Sequence, residues 1–441
     1  MRGFYNKYLF LYGLLIPAFI LFVKGTSLLY YLSAGQIVLM IGIHKGRIKF
    51  SFKRLDILYT IFVGVSVFST LSAVLYNEPD QWKWQAFVFF VYSFLMFFVY
   101  AFLEKESTAR IKRIVLGLRW GFLLNIILGY IQFFLYRFFR YDINEAIFGK
   151  ILKTVSTASH YHYGELVPTG FTWHPGAFAP ILVGAYCMFY DNYLVKLLIL
   201  GISVLTKSST CILGVIVCVL LEAAFRFYKA RKQFRKRTVI VICAIVLILV
   251  FVFIQAGFVS MAVSEIERLF QRVQGIYAAN RNDLSTYYHV RYYTGLREVL
   301  GHANPIQILF GVGGGCSGHA FMLVFGQYAG MAPWDVESQI VADMISYGLV
   351  GFAVLSLWML RMIKYGSKID KRYTMFLVSM IIMSFTYNVR FSWVLAFLFL
   401  ISVFIRRKLN IWECADSHAE RKTLQIWIKC RGGQYKTEDM N

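Results

Sequence analysis

The sequence predicts an all-α polytopic membrane protein of about twelve transmembrane helices. Three observations carry this expectation. Hydrophobic residues make up 58% of the 441-residue chain and charged residues 16%, where a soluble globular domain carries about 25% charged residues. The apolar residues come in blocks of membrane-spanning length, where a soluble core would show short alternating runs. Lys and Arg alternate between loops: 32 fall in loops of one parity and 13 in the other, and Arg119 lies inside a span.

The predicted spans are 8–23, 26–43, 55–76, 85–103, 114–136, 176–190, 193–205, 210–225, 238–259, 338–360, 373–388 and 391–405. The first follows Arg2 and Lys7, lacks a small-residue cleavage site and runs straight into a second span. It is therefore expected to be a mature helix and not a cleaved signal peptide. The sixth, seventh and last are short, so they must be capped by flanking residues or begin in a thinned or protein-lined region.

The loops richer in Lys and Arg are expected on the cytoplasmic side, which puts both termini in the cytoplasm. The same parity accounts for the net charge of +23. Its basic residues sit in short inter-span loops, so anionic lipid surfaces are the expected partner and nucleic acid is not. Residues 1–405 form the membrane domain and 406–441 a cytoplasmic tail. Two long segments, about 137–175 and 260–337, fall on the opposite side. Both are rich in aromatic, basic and His residues and poor in linker composition, so they are expected to fold as caps on the membrane domain. Residues 265–273 have the pattern of a short interfacial amphipathic helix. The cysteines form no disulfide framework: Cys187, Cys211, Cys218 and Cys243 lie in apolar blocks, Cys414 and Cys430 in the tail, and Cys316 by itself in an outer loop.

Candidate chemistry gathers in these outer segments. Arg291, in His289-Val290-Arg291-Tyr292-Tyr293, offers a planar guanidinium suited to gripping a phosphate in two places. A solvated basic loop touching lipid head groups fits the same residues. Arg297 follows on the same stretch. The glycine run Gly311-Val312-Gly313-Gly314-Gly315 could turn backbone N–H groups onto an anion or let a loop pass close to a ligand. Glu337-Ser338 opens the tenth span. Its carboxylate could be a partly desolvated base or a charge balancing the helix dipole. Asp343, about 9 Å deeper along a helix, is an ionisable group inside a span and needs a partner, with Arg297 and Arg390 available. Lys207-Ser208-Ser209-Thr210 and His174-Pro175-Gly176 sit at span boundaries on the same side; Lys207 could equally be a snorkelling end residue. The outer histidines match no zinc spacing, so no metal is expected.

On these residues the chain resembles the bacterial O-antigen polymerase and ligase superfamily. The likeness lies in Thr169-Gly170-Phe171 through His174-Pro175, in Leu205-Thr206-Lys207-Ser208-Ser209, in Arg291 with the Phe310-Gly311-Val312-Gly313 turn, in the segment from Glu337 to Gly351, and in the span count with a large outer loop before the tenth span. Ligases of the superfamily have His, then Asn, Ser or Gln, nine residues, and Gly-x-x-Gly. Here Glu337, Ser338, nine residues, Gly348 and Gly351 keep the spacing with Glu in place of His. Ser209 stands where the family often has Arg. Both departures look like the polymerase branch.

The resemblance implies a metal-independent, cofactor-free C-type glycosyltransferase of the bacterial inner membrane. Its substrates would be oligosaccharide repeat units on undecaprenyl pyrophosphate, and a flippase and a chain-length regulator of the same pathway would be its partners. Glu337 would be the general base and Arg291 the catalytic pyrophosphate clamp. Lys207, Ser208, His174, Arg297, Asp343, Arg390 and Tyr292 would bind substrate. A ligase transferring finished glycan and a non-enzymatic flippase of lipid-linked glycan remain alternatives. Charge concentrated at the span ends favours chemistry at one face over transport through the bilayer.

The basic-residue asymmetry makes a topological prediction. Reporter fusions at Gly164 and Gly314 should read external and one at Lys232 internal. A cytoplasmic signal at Gly314 would invert the assignment.

Overall fold

The computed structural model describes residues 2–18, 21–23, 26–43, 56–76, 80–153, 159–162, 165–231, 284–326, 336, 338–387 and 392–413. It is mostly helical. Helices α1 (Arg2–Leu15), α2 (Leu28–Ile43), α3 (Ile57–Tyr76), α4 (Asp80–Leu103) and α5 (Thr108–Phe139) come first, with a two-residue hairpin, β1 (Phe22–Val23) and β2 (Thr26–Ser27), between α1 and α2. A π-helical turn (Glu145–Ile151) and an antiparallel hairpin, β3 (His160–His162) with β4 (Glu165–Val167), follow. Then come α6 (Pro175–Met188), α7 (Tyr193–Leu205) and α8 (Ser209–Arg231). The last set is α9 (Leu284–His302), α10 (Pro305–Phe310), α11 (Ser317–Phe325), α12 (Gln339–Ser346), α13 (Gly348–Gly366), α14 (Lys371–Thr386) and α15 (Ser392–Arg406). Every predicted span overlaps one of these helices except 238–259, which lies outside the described residues, as does the amphipathic segment 265–273.

Four helices are long and apolar enough to cross a membrane, with windows at Ala86–Leu103, Thr108–Phe139, Ser209–Tyr228 and Gly348–Gly366. The short ones follow a different logic. Every residue of α6 is buried, so it is apolar all round because protein surrounds it. At about 1.5 Å per residue it is too short to span hydrocarbon and has no need to. Helices α1 and α5 cross at Gly13, Gly117 and Gly121, where an added Cβ at Gly117 would lie 2.0 Å from the Phe10 carbonyl oxygen. Gly117 and Gly121 are the small residues, four apart, that let two membrane helices touch backbone to backbone.

The tenth span departs from expectation. The apolar run 338–360 is two helices, broken at Tyr347–Gly348. Gly348 has φ +64°, and a Cβ there would lie 2.4 Å from the Leu309 carbonyl. The N–H groups of Val312 and Gly313 donate to Ile345 O (3.0 Å) and Ser346 O (3.1 Å). The glycine run is thus buried against the break and satisfies carbonyls at the end of α12, which corrects the expectation of an anion-binding turn. Those two N–H groups are already engaged, and the close approach is to a helix.

The first outer segment folds back into the bundle. Residues Thr169 and Thr172 are buried, and irregular backbone at that depth needs protein partners. The amides of α5 supply them. Gln132 Oε1 accepts from Thr169 N (2.9 Å) and Gly170 N (3.0 Å), and its Nε2 donates to Gly170 O (2.8 Å). Asn125 Oδ1 accepts from Phe171 N (2.8 Å). Asp142 ties the hairpin to the end of α5 by accepting from Ser159 Oγ and Tyr161 Oη, both at 2.6 Å.

Gln132→Leu should therefore leave the Thr169 and Gly170 N–H groups buried without an acceptor, at about 1–3 kcal/mol for each. A large drop in thermal midpoint in detergent, with none for the exposed control Ile127→Leu on the same helix, is the expected outcome.

Candidate functional site

The candidate site is organised by the C-terminal end of α14. The helix stops at Thr386, and Tyr387 is extended (φ −150°, ψ 157°). The backbone therefore changes direction there, and successive residues reach different neighbours. Phe385 O accepts from Tyr293 Oη of α9 at 2.6 Å. Thr386 Oγ1 meets Thr210 Oγ1, in the first turn of α8, at 3.4 Å. The Tyr387 ring stacks on His174 with centroids 4.8 Å apart and planes 4° from parallel. Segments far apart in the chain meet at this point, including both boundary motifs and the second outer segment.

His174 caps α6. Its Nδ1 accepts from Gly176 N at 3.0 Å, and Pro175 occupies the first helical position. An Nδ1 that accepts carries no proton, so the ring proton is assigned to Nε2. In this tautomer Nε2 is the ring's hydrogen-bond donor. His160 packs edge-on against it at 4.5 Å. Cys211 Sγ reaches Pro175 O at 3.0 Å and so ties the start of α8 to the start of α6.

The Lys207–Ser208 corner joins α7 to α8. Lys207 is exposed and left-handed (φ +48°), with its N–H donating to Val204 O at 3.0 Å. Ser208 Oγ accepts from Cys211 N at 3.4 Å, so it engages the first turn of α8. Ser208 is half-buried beside the exposed Lys207.

On α9 the helical phase separates the two tyrosines. Tyr292, Gly295 and Val299 face inward, and Tyr292 packs edge-on against Phe321 at 5.6 Å. Tyr292, expected from the sequence to contact substrate, is a buried residue here. Tyr293 and Arg297, one turn apart, are exposed. Arg291 lies on α9, and its side chain is outside the description. Asp343 is buried on α12 and accepts from Gln339 Nε2 at 2.9 Å, so its near neighbour is an amide one turn back. Glu337 and Arg390 lie outside the described residues. Val336 and Ser338 on either side of Glu337 are held, Val336 N by Ser317 Oγ at 3.0 Å and Ser338 Oγ by Tyr293 Oη at 2.8 Å.

Among the described residues no group of three or more His, Cys, Asp or Glu is placed to hold a metal. The opposite ends of α6, α8 and α14 are ionic instead. Lys196 Nζ sits 2.7 Å from Glu222 Oε1, Tyr186 Oη donates to the same carboxylate at 2.6 Å, and Arg372 pairs with Asp370 at 2.8 Å.

Lys207→Gly should raise thermal stability. A non-glycine residue in the left-handed region bears a cost of about 1–2 kcal/mol, partly offset by the entropy that Gly adds to the unfolded chain. An upward shift of the unfolding midpoint in detergent checks this.

A comparison with protein-family models finds no match, and a search of curated proteins finds none either.

Proposed function

We propose that the chain is a polymerase of lipid-linked oligosaccharide repeats. It would work at the outer face of the bacterial cytoplasmic membrane, with about twelve spans and both termini inside. The observation that carries this is the convergence at one end of the bundle. His174, Thr210 of the Lys207–Thr210 motif and Tyr293 of α9 each contact the last residues of α14, and Ser338 joins them through Tyr293. Hydrogen-bonding groups from both boundary motifs and α9 converge there, with Lys207 three residues before Thr210 in the chain, and this supports a site for a pyrophosphate head above a helical body that can take its polyprenyl tail.

In the proposed step, an acceptor sugar hydroxyl attacks the anomeric carbon of the donor glycan. The new C–O bond forms as the bond to pyrophosphate breaks, and undecaprenyl pyrophosphate leaves with the electron pair. Glu337 takes the hydroxyl proton as general base. Arg291, with Lys207, offsets the charge growing on the leaving group. His174, as an Nε2 donor, helps hold the same head group. Alignment of two substrates tethered to one membrane supplies much of the rate, and exclusion of water protects the activated donor.

The test is genetic and chemical. A deletion strain should accumulate single lipid-linked repeats; long unattached glycan would indicate a ligase. Arg291→Lys keeps the charge but loses the two-point grip, and should shorten or abolish polymer at normal protein abundance. Near-normal chain-length ladders would leave Arg291 a surface charge.

A further inference from the structure

Tyr293 is placed unlike its neighbours on α9. The residue is 40% exposed, and the packing of α9 is carried by Tyr292 and Val299. Its hydroxyl, by contrast, is fully engaged. The single phenolic proton goes to Phe385 O at 2.6 Å. The 2.8 Å contact with Ser338 Oγ is therefore donated by the serine. Burial of the hydroxyl raises the phenol above its ordinary range, so the proton stays in place.

Both partners are unusual. Phe385 O is in the last turn of α14, where carbonyls lack an intrahelical partner. Ser338 is the N-cap of α12 and makes no capping bond with its side chain. A serine at that position ordinarily accepts from the first turn, a contact worth about 1 kcal/mol. Here the hydroxyl turns away from its own helix to reach Tyr293. A local stabilising contact is given up to join α9, α12 and α14 at one oxygen.

We propose that Tyr293 is a positioning residue for the transfer reaction, and that its hydroxyl fixes α9 and the start of α12 in mutual register on the end of α14. The proposal rests on the polymerase reading, because α9 carries Arg291 and Arg297 and Ser338 follows Glu337 in the chain. Tyr293 touches no reacting atom in this scheme. It sets the distance between the helix that bears the clamp and the segment that bears the base.

Tyr293→Phe removes the hydroxyl alone and leaves the packing of α9 intact. It also frees Ser338 to cap α12, so stability should barely change. The full-length protein is assayed in membranes of a strain lacking its own copy, with the lipid-linked repeat extracted from that deletion strain as substrate. Turnover per molecule should fall about 100-fold, the loss associated with an ångström-scale misplacement, with abundance and thermal midpoint unchanged and apparent KM within about twofold. Ser338→Ala should show the same loss, the double variant no more than either single, and Ser338→Thr substantial recovery. As an activity-independent arm, spin labels at the exposed residues Glu298 and Ser367 should give a distance distribution that broadens in the Phe variant. Turnover within about twofold of wild type, a loss that merely follows lost protein, or single losses that multiply in the double variant would overturn the proposal. If the wild-type protein makes no polymer at all, the polymerase reading fails instead. The label distances then decide alone, and an unbroadened distribution overturns the positioning role.

Discussion

The arrangement depends on the two ends of α14 being held by different chemistry. At its start Asp370 caps the helix and takes both Nε (3.0 Å) and NH2 (2.8 Å) of Arg372, while Asn410 Nδ2 donates to the same carboxylate at 2.8 Å. One residue on, Tyr373 Oη donates to Leu409 O and accepts from Ile411 N, both at 2.9 Å. The helix is about 24 Å long and packs against α8, α6 and α13. With its base fixed, its far end is a defined point in space, where Phe385, Thr386 and Tyr387 each receive a different segment. A helix end suits this task because its last carbonyls lack intrahelical partners and the chain leaves it in a new direction.

A second constraint comes from the membrane itself. Wherever backbone leaves helical geometry inside an apolar body, its N–H and C=O groups need partners from protein. Two such places among the described residues have different solutions. Residues 169–172 are satisfied by side-chain amides of α5, Gln132 and Asn125. The break between α12 and α13 is satisfied by backbone, the Gly311–Gly313 turn lying against Ile345 O and Ser346 O. Gly348 and Gly311 are glycines because a Cβ at either would meet main-chain atoms within 2.4 Å. The Gly-x-x-Gly spacing after Glu337-Ser338 thus has a structural reason: its first glycine makes the break, and a Cβ on its second, Gly351, would strike the Tyr347 side chain.

These two places mark where the sequence was legible and where it was not. Helix positions follow from apolar blocks because the period and length of such runs are local properties. The helix break does not, because Gly348 sits within a run apolar enough to continue, and only contact with 309–313 shows why it stops. Tyr292 and Tyr293 are adjacent and chemically identical, so composition could not separate the core residue from the linking one; the phase of α9 does. His174 and Thr210 are visible as members of boundary motifs, but their meeting the end of α14 through Tyr387 and Thr386 is a tertiary fact. Gln132 and Asn125 carried an unused signal. Two amides seven apart lie on one face of a span, where an uncompensated amide is costly, so they point to irregular backbone opposite them.

The division of charge between the ends follows from the same economy of burial. Lys196, Glu222 and Tyr186, and Arg372 with Asp370, are compensated pairs whose hydrogen-bonding capacity is largely met within the protein. Such groups hold helices together and have little left for a ligand. At the opposite end Lys207 and Arg297 are exposed; apart from the Arg140–Glu165 pair of the first outer segment (3.6 Å), the contacts around the end of α14 are between neutral groups: an imidazole on a phenol, two threonine hydroxyls, a phenol on a carbonyl. Neutral contacts position a site without cancelling its field, so exposed cations beside them keep their attraction for an anionic head group. Under the proposed function the ionic end is structural and the neutral-bonded end receives substrate. That distribution suits a single reaction surface better than a charged path through the bilayer would.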